Sequence, residues 1–117
     1  MTLEEYKRIG EKYDLEYSDY EECFFSKGHK GDYRFVVSIF KGAPTGGIAW
    51  VFCEFVYSTS SKTIYSDNTH CSSFDTKGYE EQLKLYFRNY KKAQIKVKTM
   101  ELEKDFVNDW RRIYRSL

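Results

Sequence analysis

Apolar residues recur at the spacing of one helical face near the start of the chain, at Leu3, Tyr6, Ile9 and Tyr13. Thr2-Leu3-Glu4-Glu5 has the form of a capping box, with a hydroxyl for an orphan amide and a glutamate reaching back. The pattern predicts a short amphipathic helix over residues 3–13, its last turns weakened by Gly10. The period then changes. Glu16 to Phe25 is aromatic without a helical stripe and predicts one strand. Ser26 to Asp32 holds two glycines and reads as a turn. Tyr33 to Phe40 alternates, with Tyr33, Phe35, Val37 and Ile39 on one face and Arg34, Val36, Ser38 and Phe40 on the other. Lys41 to Gly47 is a hairpin-length loop. Ile48 to Tyr57 is apolar on both faces and predicts a central strand. Thr63 to Tyr65 adds a short strand, and Ser66 to Ser73 reads as polar loop. These connections are too short for parallel crossovers, so the strands form an antiparallel meander.

Two helical stripes close the chain. Asp75 or Thr76 can cap a helix carrying Tyr79, Leu83, Tyr86, Phe87 and Tyr90 on one face. Phe106, Val107, Trp110, Ile113, Tyr114 and Leu117 form the second stripe. Acids in its first turns and arginines in its last suit the helix dipole. Between the two, Gln94 to Lys98 alternates and reads either as a connecting strand or as continuing helix. The expected fold is one α+β domain over residues 1–117. It has a short N-terminal helix, an antiparallel β-meander of three to five strands, and two C-terminal helices packed on the sheet.

Composition adds three points. With 117 residues the chain is long enough for a core, and 32% charged against 41% hydrophobic residues excludes disordered and collagen-like classes. Eleven tyrosines and nine phenylalanines beside a single proline favour a sheet carrying helices over a helix bundle. Three cysteines at no recognisable spacing, behind an acidic opening unlike a secretory leader, lead us to expect reduced thiols in a cytoplasmic protein. The longest apolar run is far too short for a membrane span. Charge is uneven along the chain. Residues 1–22 carry eight acids against three bases, and residues 75–98 carry seven bases against three acids.

No catalytic signature stands out. Gly42 to Gly47 lacks the lysine of a phosphate loop and opens a strand. The cysteines and histidines lack the paired spacing of a zinc knuckle, so neither metal nor cofactor is expected. Glu54 interrupts the apolar strand on the face of Trp50 and Phe52. It either meets solvent there, pairs with a cation such as Arg34, or is an acid with a shifted pKa. Cys71 beside His70 is the other candidate centre for a small enzyme, although neighbours in sequence usually point apart.

Two surface sets remain. Asp14, Glu16, Tyr17, Asp19, Tyr20, Glu21 and Glu22 combine acids with tyrosines. That is the composition of an acid-steered, aromatic-anchored interface for a protein with a basic surface, or of a charged edge strand. Lys84, Arg88, Lys91 and Lys92 share one helical side and, with Lys96 and Lys98, offer backbone affinity for a nucleic acid. The expected function is a small non-enzymatic protein-binding module, an inhibitor or antagonist of the kind found among phage accessory proteins and toxin-immunity partners. A nucleic-acid-binding accessory protein is the alternative, and a small enzyme at Glu54 or Cys71 the third reading.

Overall fold

A computed structural model of the chain describes residues 1–43, 46–67 and 69–116. The side chains of Ala43 and of residues 104–116 lie outside that description. The elements are α1 (Leu3–Lys12), β1 (Glu16–Ser18), β2 (Cys23–Phe25), a 3-10 turn (Tyr33–Phe35), β3 (Val36–Ala43), β4 (Gly46–Phe52), β5 (Phe55–Ser58), β6 (Thr63–Ser66), β7 (His70–Ser73) and α2 (Thr76–Ser116). The class is α+β. Five antiparallel strands pair in the order β1-β2-β3-β4-β7, and β5 and β6 form a separate two-stranded sheet.

The capping box forms as its residues require. Glu5 N–H donates to Thr2 Oγ1 and Thr2 N–H donates to Glu5 Oε1 (3.2 and 3.0 Å), which holds the Glu5 carboxyl below its ordinary pKa. α1 lays Tyr6 and Ile9 on the sheet beside Tyr79, Leu83 and Tyr86 of α2, over Phe24, Val37, Phe40, Ala49 and Val51. A smaller cluster of Cys23, Phe25, Val36 and Phe52 occupies the other face. The pairing of β2 with β3 slips between Phe24 and Phe25, which puts Phe24 opposite Ser38 but Phe25 opposite Val36. This bulge re-aims Val36 away from the helices, so strict alternation along β3 is broken.

Several expectations are corrected. The single strand over Glu16–Phe25 is a hairpin, β1 and β2, turning at residues 19–22. Tyr33–Phe35 is a 3-10 turn because Asp32 caps it, accepting from Arg34 N–H. The long strand over Ile48–Tyr57 breaks at Cys53–Glu54, and its second half joins the other sheet. The expected loop Ser66–Ser73 contains β7, which pairs with β4. Its composition is that of a short polar edge, too brief to show a period.

The two C-terminal helices are one. Residues 79–116 contain neither glycine nor proline, so nothing stops propagation across Gln94–Lys98, which is helical. The stripe from Phe106 to Leu117, Trp110 included, lies outside the described side chains. The molecule is accordingly elongated, 72 × 25 × 21 Å.

Candidate functional site

The seven acid-and-tyrosine residues divide into three places. Asp14, in a positive-φ conformation (φ 60°), ends the turn after α1 and pairs with Lys27 at 3.2 Å. Glu16 accepts from Gly28 N–H at 2.5 Å. Both therefore serve the root of the hairpin, tying it to the loop over residues 26–32. Tyr17 is half-buried. Its ring lies 5.0 Å from Phe24 and 6.4 Å from Tyr6, and Lys7 Nζ sits 4.7 Å above it. Desolvation and the charges of Glu22 and Asp19 push its hydroxyl up to about 12. Tyr17 is thus a packing residue.

Asp19, Tyr20, Glu21 and Glu22 form the tip. β1 is an edge strand only three residues long, and the chain reverses immediately beyond it. Glu22 takes a positive φ of 52° and its carbonyl accepts from Phe40 N–H at 3.1 Å, which pins the turn to β3. Tyr20 is then left 96% exposed. Asp19 is held by Lys7 at 3.5 Å, and Glu21 accepts a hydrogen bond from the Tyr33 hydroxyl. That bond, first among the causes, raises Tyr33 to about 12. Tyr33 is itself 60% exposed and stands edge-on to Phe25. The strand reading of Tyr33–Phe40 hid this residue. The Asp32 cap was the signal that could have released it from the strand. The tip is therefore two exposed phenol rings among three carboxylates. Asp19 and Glu22 both lie in the turn between β1 and β2.

The cations lie elsewhere. Lys84, Arg88, Lys91, Lys92, Lys96 and Lys98 are all exposed on α2, and none forms an ion pair with a described residue. Ile95, 57% exposed, interrupts their row. The apolar partners Tyr79, Leu83 and Tyr86 are core, as helical spacing implies.

Glu54 is exposed in the connection between β4 and β5. It does not meet Arg34, which is engaged with Asp32 at 2.8 Å. Cys71 lies in β7 with its Sγ 3.5 Å from Cys53 Sγ, while the His70 ring stacks on Trp50 at 5.1 Å. Among the described residues no group of three or more metal-ligating side chains converges. No described helix is long and apolar enough to cross a membrane. A comparison with known proteins finds no family model, no curated protein and no solved structure that matches the chain.

Proposed function

We propose that this protein is a non-enzymatic binding module that docks the β1–β2 turn onto a basic surface of a partner protein, acting as that partner's antagonist. The observation that carries the reading is Tyr20. A tyrosine ring almost wholly in water, at a turn pinned by backbone bonds, is a preformed anchor that loses little entropy on binding. Asp19, Glu21 and Glu22 around it supply the steering charge, and Tyr33 beside Glu21 extends the apolar contact. Affinity capture from cells of the source organism, with nuclease treatment, should yield a nuclease-resistant protein partner.

Binding kinetics at two salt concentrations then separate the roles. Asp19→Lys with Glu22→Lys should slow association and flatten its salt dependence, as steering charges do. Tyr20→Ala should speed dissociation, at a cost of about 2 kcal/mol or more if it is the anchor. The same substitution should move folding stability by less than about 0.5 kcal/mol, because the ring touches no core. Unchanged rates in both variants would place the interface elsewhere.

A second reading rests on the cations of α2, none of which pairs with a described residue. A row of exposed lysines and one arginine along a helix can follow a phosphate backbone. If that is the function, the unmodified protein retards oligonucleotides at low salt, and charge reversal at Lys84, Arg88, Lys91 and Lys92 abolishes the shift. Loss of every captured partner on nuclease treatment would favour this reading over the first.

A further inference from the structure

After β4 the chain leaves the five-stranded sheet, forms the β5–β6 hairpin, and re-enters the sheet as β7. The base of this excursion is closed by two backbone bonds, Cys53 N–H to Thr69 O (3.1 Å) and Asp67 N–H to Glu54 O (3.3 Å). The third closure is a pair of thiols. Cys53 Sγ and Cys71 Sγ are 3.5 Å apart, in contact but unbonded, and both cysteines are free. We propose that Cys53 and Cys71 form a redox-active dithiol that a hydroperoxide converts into an intramolecular disulfide sealing the base of the β5–β6 excursion.

The geometry assigns different roles to the two sulfurs. Cys71 is half-buried in the edge strand β7 and is the one an oxidant can reach. Cys53 is buried, one residue beyond β4 in irregular backbone, with its carbonyl held by Asn89 Nδ2–H at 2.7 Å. Burial, then its hydrogen bond with Cys71, pushes the Cys53 thiol up to about 11, so it waits as a thiol. In the first step the Cys71 thiolate attacks one peroxide oxygen. The O–O bond breaks, the alcohol or water leaves with the thiol proton, and Cys71 becomes a sulfenic acid. In the second step Cys53 Sγ attacks the Cys71 sulfur. The S–S bond forms, the S–O bond breaks, and hydroxide leaves as water with the Cys53 proton. Two thiols lose two electrons and one hydroperoxide gains them. Bringing the sulfurs to the bonding distance of about 2.05 Å requires closing them by about 1.5 Å, a movement within reach of side-chain torsions at a strand end.

Cys23 is the internal control. It is buried in β2, its S–H donates to the Glu21 carbonyl at 3.1 Å, and desolvation first, then the Glu21 charge, raises it to about 11.

The test is peroxide treatment of the full chain, capture of remaining thiols with N-ethylmaleimide under denaturing conditions, and intact mass with peptide mapping. Three adducts are expected before oxidation and one afterwards, on Cys23, with a Cys53–Cys71 crosslink that dithiothreitol reverses. Amide exchange in residues 54–69 should slow on oxidation, because the bridge closes the excursion into a ring. Cys53→Ser should leave Cys71 as a sulfenic acid trapped by dimedone. Cys71→Ser should leave Cys53 unoxidised at the same dose. Three adducts surviving a dose that oxidises an unstructured cysteine peptide would overturn the proposal. So would a crosslink to Cys23 or between two chains.

Discussion

Ser38 lies fully buried on β3 between two tyrosine hydroxyls, 2.9 Å from Tyr6 on α1 and 2.9 Å from Tyr79 on α2. The three hydroxyls satisfy one another where water does not reach, and they join both helices to the centre of the sheet. Ser38→Ala leaves two buried phenols short of a partner and should cost about 1–3 kcal/mol in urea unfolding, far beyond the change in volume. The same burial sets an alkaline limit. Desolvation, the first cause in each case, raises the pKa of Tyr6, Tyr79 and Tyr86 above the usual tyrosine value. Once the pH passes about 10 the unfolded chain releases these protons and the native chain keeps them, so native stability is intact below that pH and falls as pH rises above it. Urea midpoints measured from about pH 8 to about pH 11 should decline only in the upper part of the range. A flat profile would mean these rings are hydrated. None of this was legible at Ser38, because its partners stand 32 and 41 residues away in sequence.

At the scale of the element, α1 shows how a local rule can reverse. Gly10 weakens a helix by propensity, and replacing it with alanine ordinarily gains about 1 kcal/mol. Here a methyl on Gly10 would lie 2.1 Å from Phe24 Cε2, so α1 needs the glycine in order to approach β2. Gly10→Ala should therefore lower stability in urea unfolding, the opposite sign to the propensity rule. α2 divides in a comparable way. Its first turns are core, and Leu83→Ala should cost about 2–5 kcal/mol. Ile95 is mostly exposed on the same helix, and Ile95→Ala should stay within about 0.5 kcal/mol. Equal costs at the two positions would mean that α2 packs at Ile95 as it does at Leu83. The stripe from Tyr79 to Tyr90 was plain in the sequence. The continuity of the helix was obscured by five alternating residues, Gln94 to Lys98, that mimic a strand over a length too short to be one.

The whole molecule is a sheet-and-helix body with a helix longer than the body requires. A compact domain of this length has a radius of gyration of about 13 Å, whereas the value for this chain is 18.6 Å. Small-angle scattering of the monomer should give a value near the larger figure. A value near the smaller one would show that α2 bends back onto the sheet, as two separate helices would. At this scale Asp19, Glu21 and Glu22 lie at the hairpin tip and the cations at exposed positions of α2. The salt-dependence experiments on the two sets therefore reverse charges on different elements.

What the sequence by itself determined follows from rules that act over a few residues. The capped first helix, the buried Tyr79, Leu83 and Tyr86 of α2 after Asp75 (Phe87 of the same stripe is exposed), the antiparallel pairing imposed by short connections, and the burial of Cys23 all rest on neighbours within a turn or a strand. Tertiary structure decided the rest, because the deciding contacts join distant segments. Only the pairing of β4 with β7 brings Cys53 to Cys71, and only the break at Cys53–Glu54 releases the β5–β6 excursion between them. Only the bulge opposite Phe25 turns Val36 away from the helices. Only the reversal at residues 19–22, with the Glu22 carbonyl bound to Phe40 N–H, sends Tyr20 into solvent while Tyr17, three positions earlier, packs into the core. Composition makes those two tyrosines equivalent, and the turn leaves one in solvent and makes the other a part of the fold.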